Sequence, residues 1–238
     1  MAELLANQAK QDEPLEADPG SEKIQIFTIE NFEPKAIEPA MHGQFFAGDS
    51  YIIVYECEVK RRKQAFIFFW LGSTSTTDEK GACALQTKKM DDDMFGGSAT
   101  QVRVVQGKEP SQLRSLFQGK MIIHTGGLAS GFKNKNDVSS KDEDGVALFH
   151  VRGTTELNTC GIQVEEKASE LNGEDCFVLV TPASVFVWKG NAATSDEEAV
   201  ASNIADILAN TYLGKTMLIP LTILKSACFI SFLFFCYL

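Results

Sequence analysis

The sequence predicts an α+β protein that contains two copies of one folding unit. Three observations support this prediction: several short β-rich runs, one long segment with helical apolar spacing, and a restart of the same pattern in the second half of the chain. With 238 residues, of which 44% are hydrophobic and 23% charged, the chain is long enough for one large or two small hydrophobic cores.

The first unit follows a polar lead-in. Residues 1–22 contain two prolines and a glycine without a sustained apolar period, so this segment is predicted to be a linker. Strands are predicted over residues 24–29, 50–55 and 65–71, because each run is rich in β-branched and aromatic residues and is bounded by Gly, Pro or charge. The run 50–55 is expected to be buried on both faces.

A long helix follows these strands. It is predicted from Thr77 to about Met94, because four residues recur at spacings of 4, 3 and 4 and form one stripe on a helix. These residues are Cys83, Thr87, Met90 and Met94. Residues 102–105 and 120–124 are predicted to be further strands. The short helix between them begins at Pro110, because proline is favoured at the first helical position.

Composition predicts a domain boundary between the two copies. The segment 128–144 is rich in Lys, Asp, Ser and Asn and lies between glycines, which is typical of a linker. The predicted units therefore cover residues 23–127 and 145–216, and the second unit is expected to be incomplete. Residues 217–238 form an atypical hydrophobic tail.

An acidic pair recurs in both copies. In the first copy Asp49 opens a strand and Glu79 opens the following helix, and Asp175 and Glu197 hold the same positions in the second copy. Each glutamate lies nine positions after a tryptophan, although the hairpin before that tryptophan is eight residues shorter in the second copy. The pair is therefore independent of the length of the hairpin.

Two interpretations of these pairs stay open. Both glutamates complete a capping-box pattern, Thr76-x-x-Glu79 and Thr194-x-x-Glu197. A carboxylate in a first helical turn stabilises a helix by about 0.3–1 kcal/mol without any metal. Alternatively, a helix that packs on its sheet brings the two carboxylates of one copy together. Converging carboxylates and backbone carbonyls form an oxygen site that suits Ca²⁺ better than Mg²⁺.

The composition argues against several classes of function. The 22 Lys and Arg against 32 Asp and Glu give a net charge of −10, which disfavours binding to a nucleic-acid backbone. The six cysteines include no C-x-x-C pair, so reduced thiols are predicted rather than a zinc site or a disulfide framework. The sequence contains no G-x-S-x-G, P-loop or H-E-x-x-H motif and no secretory signal pattern. It is predicted not to be an enzyme.

Four strings resemble repeats of the gelsolin family, which includes villin and adseverin. They are GQFFAGDSYIIVYE at 43–56, TTDEKGACALQTKKMDDD at 76–93, VRVVQGKEPSQLRSLFQGK at 102–120 and LNGEDCFVLVTPASVFVWKG at 171–190. The first unit resembles the fourth repeat of that family and the second unit the fifth. The resemblance implies a mixed sheet between a long and a short helix in each unit, Ca²⁺ as cofactor, actin as partner, and a cytoplasmic, cytoskeletal location.

The resemblance also implies metal ligands in both units. In the first unit they are the carbonyls of Gly48 and Val146 and the carboxylates of Asp49 and Glu79. In the second unit they are the Glu174 carbonyl, Asp175 and Glu197. The remaining ligand of the second site would come from beyond the helix, where the chain departs from the family, so that site is expected to be incomplete. Asp91 matches a family carboxylate that binds a second calcium ion shared with actin.

The long helix is the predicted actin-binding element, because an apolar stripe on a helix can insert into a groove of a partner. The residues assigned to actin contact are Thr87, Lys88, Met90, Asp91 and Met94. In the alternative, the stripe covers its own sheet and belongs to the core. The predicted function is calcium-regulated binding of actin monomers and capping of filament ends, with a contribution to severing. The competing hypothesis is a noncatalytic calcium-binding scaffold with a partner other than actin.

Three segments bear on lipids and membranes. The run 60–63, Lys-Arg-Arg-Lys, is expected to be a solvated hairpin tip. GGLASGFK at 126–133 resembles a family segment associated with phosphoinositides, which suggests lipid contact. In the tail, 13 residues follow Lys225, fewer than the ~20 that span a bilayer. A tail anchor therefore competes with an alternative in which residues 216–221 form a strand of the second unit.

Overall fold

The computed structural model describes residues 17–127, 145–213 and 222–224. It divides into two compact units, Met1–Leu116 with Thr125–Asn136 and Phe117–His124 with Asp137–Leu238. The predicted linker 128–144, most of the string 126–133, the predicted strand 216–221 and most of the hydrophobic tail lie outside the described residues. Each unit contains a mixed sheet and few helices, so the predicted α+β class is confirmed.

The first unit is built on a five-stranded sheet in the order β2-β1-β4-β5-β6. These strands are β1 (Lys23–Glu30), β2 (Glu33–Ala36), β4 (Ser50–Val59), β5 (Arg62–Leu71) and β6 (Thr100–Val105), and a short β3 (Gln44–Phe46) precedes β4. β5 and β6 are parallel, and the other neighbours are antiparallel. β4 begins with six consecutive buried residues, as the apolar run 50–55 predicts.

Helix α1 (Thr77–Phe95) covers one face of this sheet. It begins at the predicted residue and ends one residue beyond Met94, where Gly96 adopts the left-handed conformation of a helix C-terminus. Its inward apolar residues pack into one cluster with side chains from β1, β4 and β5. The short helix α2 (Ser111–Ser115) follows β6 and begins one residue after Pro110.

The hairpin between β4 and β5 is held by the chain that precedes β1. Lys60 and Arg61 have φ values of 51° and 63°, the two left-handed positions of a type I′ turn. The Asp18 carboxylate accepts hydrogen bonds from the N–H groups of Lys60 at 3.3 Å and Arg61 at 2.8 Å. The Asp18 N–H donates to the Glu58 carbonyl at 2.6 Å. The four basic residues of this tip are exposed, as expected.

In the second unit the strand order is β12-β11-β10-β8-β9-β7. These strands are β7 (Met121–His124), β8 (Ala147–Arg152), β9 (Cys160–Val164), β10 (Cys176–Val180), β11 (Val185–Lys189) and β12 (Thr222–Leu224). Helix α3 (Ser195–Leu213) packs its apolar face on the sheet around Val200, Ile204 and Leu208. The sequence places β7 in the first unit, but it pairs in parallel with β9. A short buried run does not encode which sheet it joins.

Both units have a parallel pair after the long helix. β6 pairs with β5 over six residues, and β12 pairs with β11 over three, Phe186 to Trp188 opposite Thr222 to Leu224. Among the described helices, none combines the length and the apolar character needed to cross a bilayer.

Candidate functional site

A pair of backbone hydrogen bonds joins the start of β4 to the segment before α1. The N–H of Gly72 donates to the Asp49 carbonyl at 3.1 Å, and the N–H of Thr74 donates to the Ala47 carbonyl at 2.9 Å. A Cβ at Gly72 would lie 2.2 Å from the Ala47 oxygen, so the approach requires glycine. This connection places the strand-opening aspartate beside the chain that leads into the helix.

The second unit repeats the same connection. The N–H of Gly190 donates to the Asp175 carbonyl at 3.0 Å, and the N–H of Ala192 donates to the Gly173 carbonyl at 2.9 Å. A Cβ at Gly190 would lie 2.6 Å from the Gly173 oxygen, so glycine is required here as well. The two predicted sites are therefore built on one backbone frame, although their hairpins differ in length.

Both helix-opening glutamates form the capping boxes that the sequence predicts. Glu79 Oε2 accepts from the N–H of Thr76 at 2.9 Å and from its hydroxyl at 3.0 Å, and the Glu79 N–H donates to Thr76 Oγ1 at 3.2 Å. Thr194 and Glu197 show the same three distances. Because both capping boxes use Oε2, the other oxygen of each carboxylate lies outside the cap.

A tyrosine holds the first strand-opening aspartate. Asp49 is buried, and its Oδ2 accepts a hydrogen bond from the Tyr51 hydroxyl at 3.1 Å. The same hydroxyl accepts from the N–H of Phe46 at 3.1 Å, so its position is fixed from both sides. Burial, together with the negative charge of Asp49, raises the pKa of Tyr51 well above its usual value. The hydroxyl therefore stays protonated and donates to the carboxylate.

An imidazole and an amide hold the second aspartate. Asp175 Oδ2 accepts from Asn172 Nδ2 at 2.7 Å and lies 2.8 Å from His150 Nε2. The His150 ring stacks on Phe177 with centroids 4.5 Å apart. Partial burial acts to raise the pKa of Asp175, but the hydrogen bonds from Asn172 and His150 and the nearby positive charge of Arg152 outweigh it and lower that pKa. Phe177 holds the position in the second copy that Tyr51 holds in the first, but it has no hydroxyl. His150 contacts the aspartate in its place.

The other implied calcium ligands lie in varied surroundings. The N–H of Gly48 donates to the Gly126 carbonyl at 2.5 Å, Val146 is buried just before β8, and Glu174 is exposed with its N–H bonded to Asn172 Oδ1 at 2.8 Å. Within the described residues, no group of three or more His, Cys, Asp or Glu side chains is arranged to hold a metal ion. The implied donors are all oxygens, which suits calcium, and the ligand sets stay predictions.

Asp91 is buried and holds the loop after α1. Its Oδ1 accepts from the N–H of Ala99 at 2.9 Å, and its Oδ2 accepts from Gln101 Nε2 at 2.7 Å. Gln101 was not among the predicted site residues. Gln101 lies on strand β6, and nothing in its neighbouring sequence indicates a hydrogen bond to Asp91, ten residues earlier on α1. The role of Asp91 in a shared calcium site stays a prediction.

The predicted stripe of α1 faces its own sheet at three of its four positions. Cys83 and Thr87 are buried, Met90 is half-buried against the core cluster, and Met94 is 43% exposed. Burial raises the pKa of the Cys83 thiol to about 12. Because Thr87 and Asp91 are both buried, their side chains offer no surface to a partner in this conformation. Among the residues assigned to actin contact, Lys88 and Met94 are exposed.

The outward face of α1 and the neighbouring β1–β2 turn carry an apolar patch that is not among the predicted site residues. Leu85 is 74% exposed and Phe32, in the turn between β1 and β2, is 61% exposed. Both line a groove of about 370 Å³, together with Ala82, Gln86 and polar residues of the first helical turn. The only indication in the sequence is Leu85 itself, an apolar residue of the helix that does not fall on the predicted stripe. We refer to Phe32 and Leu85 as the Phe32–Leu85 patch.

The chain is similar in sequence to known proteins of one family. Residues 31–114 match the family model described as gelsolin repeat. The chain is 42% identical over 173 residues to "Gelsolin, cytoplasmic" of Homarus americanus and 41% identical over 192 residues to gelsolin of Xenopus laevis. This chain belongs to the gelsolin family. The matched gelsolin repeat runs from the β1–β2 turn to α2, so it contains both α1 and the Phe32–Leu85 patch.

The chain spans less than half the length of these gelsolins. The alignments cover 73% of the chain and 23% of the Homarus protein, and 80% of the chain and 44% of the Xenopus protein. Among solved structures, Thorarchaeota 2DGel3 in complex with rabbit actin is 22% identical and covers 88% of this chain and 98% of that chain, at a TM-score of 0.35. Membership in the gelsolin family rests on the sequence matches rather than on this structure.

Proposed function

We propose that this chain binds actin under the control of calcium, through helix α1 of its first repeat. The observation that supports the proposal most directly is the Phe32–Leu85 patch, in which an exposed leucine of the helix that carries Glu79 lies beside an exposed phenylalanine of the β1–β2 turn. Exposed apolar residues grouped in a groove are typical of protein-binding surfaces. Membership in the gelsolin family, for which the sequence resemblance implies actin as partner, supports this choice of partner.

Calcium control follows from the position of the acidic pair. Glu79 and Leu85 are six residues apart on one helix, roughly 9 Å along its axis. A cation between Asp49 on the sheet and Glu79 on the helix would neutralise two anions and fix α1 against β4. Calcium would therefore increase the population of chains whose α1 is oriented for binding. The capping box does not prevent this, because Glu79 Oε1 lies outside it.

The proposed activity is binding of actin monomers and capping of filament ends in the cytoplasm, with a contribution to severing. The second unit supports the same proposal, because it repeats the backbone frame and the capping box, although Asp175 rather than Glu197 is the more exposed carboxylate of its pair. The remaining ligand of its calcium site would come from sequence beyond α3, where the chain departs from the family pattern. We expect the first unit to contribute most of the calcium response.

Actin co-sedimentation and pyrene-actin polymerisation, each with calcium or with a chelator, test the proposal. Leu85→Asp should weaken binding at least about 30-fold, because it places a charge at the centre of an apolar contact. Ala84→Asp is the matched control, since it adds the same charge at the neighbouring exposed helical position. Circular dichroism should show a native fold for both variants, and both should lose the same small amount of stability, about 0.7 kcal/mol, because the side chains are exposed and aspartate is a weaker helix former. Full actin binding by folded Leu85→Asp would remove the patch from the interface.

The competing function is a calcium-binding scaffold with another partner. It predicts a rise in melting temperature with calcium but no actin binding in either condition. Calorimetry beside the actin assays separates the two functions.

A further inference from the structure

The turn between β1 and β2 holds an aromatic residue in a backbone conformation that suits glycine. Asn31 and Phe32 connect the strands with φ values of 50° and 68°, the left-handed values of a type I′ turn. Asn-Gly is preferred at these positions, because a Cβ crowds the backbone at positive φ. Phe32 is also one of the exposed large apolar residues. An exposed ring in a strained turn stabilises neither the turn nor the core, which is typical of a binding residue.

Helix α1 holds this turn through one side chain. Gln86 Nε2 donates to the Phe32 carbonyl at 2.9 Å and to Glu33 Oε2 at 3.2 Å. A primary amide has two N–H groups, so it can serve both acceptors at once. Gln86 is half-buried and follows Leu85 directly, and both residues line the groove beside Phe32. The backbone of the strained residue is therefore bonded to the helix that carries the other half of the patch.

We propose that Gln86 is a positioning residue that joins Phe32 and Leu85 into one docking surface for actin. This inference rests on the proposed function. Gln86 acts through the Phe32 backbone: it holds the left-handed turn against α1, so the ring is already in place when actin arrives. Pre-ordering a contact residue improves affinity, because the entropy of fixing it is not lost on binding.

The size of the effect follows from the cost of ordering the turn. Fixing one mobile side chain on binding weakens affinity by up to about tenfold. Gln86→Glu keeps the shape of the side chain but removes both N–H donors and adds a negative charge beside Glu33. It should release the turn and weaken actin binding by about this factor. Gln86→Lys restores a donor to the Phe32 carbonyl and attracts Glu33, so it should bind nearly as well as the unmodified chain.

The test is a double-mutant cycle on the full chain, with actin affinity in calcium measured for Gln86→Glu, Phe32→Ala and both together. The inference predicts that Gln86→Glu weakens binding in the native background and has no further effect when Phe32 is already alanine. Full affinity of Gln86→Glu, or the same loss in both backgrounds, would overturn it while leaving the proposed function intact. No actin binding by the unmodified chain would overturn both.

The substitution Phe32→Gly distinguishes a binding role of Phe32 from a structural role. It removes the ring and supplies the residue type that the turn prefers. We expect a higher melting temperature together with weaker actin binding. Phe32→Ala is the matched control, because it removes the ring but keeps the Cβ at positive φ, so it should bind weakly without gaining stability. A lower melting temperature for Phe32→Gly would mean that the ring supports the fold, and the inference would be wrong.

Discussion

Acidification should destabilise the second unit through one buried histidine. His124 ends β7, is 2% exposed and packs edge-on against the Phe149 ring at 5.4 Å. Burial lowers the pKa of His124 from 6.5 to about 4, because the charged form is poorly solvated there. The unfolded chain binds a proton near pH 6.5, whereas the folded chain resists it until about pH 4. The contribution of neutral His124 is therefore fully present above pH 6.5 and is lost as the pH falls toward 4.

The magnitude follows from the size of the pKa difference. At about 1.4 kcal/mol per pKa unit, the unfolding free energy should fall by about 2 kcal/mol at pH 5 and by about 3 kcal/mol near pH 4. Urea unfolding at pH 7.5 and pH 5 measures it, with His124→Phe as the variant that cannot titrate and His42→Gln as a control histidine. Carboxylates titrate in all three proteins. The pH effect on the unfolding free energy of the unmodified chain, minus that of His124→Phe, therefore isolates the contribution of His124. An equal pH effect in the unmodified chain and His124→Phe would refute the reasoning.

Three further predictions concern the repeated frame. Glu79→Gln should reduce the calcium-induced rise in melting temperature more than Glu197→Gln, and equal losses in calorimetry would contradict a dominant first site. Gly72→Ala should lower the unfolding free energy by more than about 2 kcal/mol in urea, because its Cβ would overlap a backbone oxygen at 2.2 Å; a stable variant would show that the frame can relax. In urea unfolding, Trp70→Phe should lower the unfolding free energy by about 1 kcal/mol more than Trp188→Phe. The Trp70 indole donates a hydrogen bond to Glu109 at 3.0 Å, whereas the buried Trp188 Nε1 has no hydrogen-bond partner among the described residues, so equal losses would contradict this prediction.

Local patterns were sufficient to predict the starts of both long helices and the buried strand at the centre of the first sheet. The capping boxes at Thr76 and Thr194 follow from residues three positions apart, and the chain forms both as predicted. The buried strand at 50–55 follows from composition alone. These features depend on neighbours in sequence, so one sequence is enough to infer them.

The functional face of α1 could not be predicted in the same way. A threonine is polar, yet Thr87 is buried because its position on the helix faces the sheet. Leu85 is apolar, yet it is exposed on the opposite side. Spacing identifies a stripe but does not say whether the stripe meets its own sheet or a partner. Likewise, the bonds of Gln86 and Gln101 join residues of different elements, and nothing in the local sequence specifies them.

The attachment of Asp18 to the β4–β5 hairpin decides where a shortened version of this protein can start. A cut at Lys23, where the first strand begins, keeps every strand of the first sheet. It would remove the carboxylate that accepts both N–H groups of a left-handed turn formed by Lys60 and Arg61, residues that do not favour this conformation. Four neighbouring positive charges would then sit on a loosened loop. Expression boundaries for this repeat therefore belong upstream of Asp18.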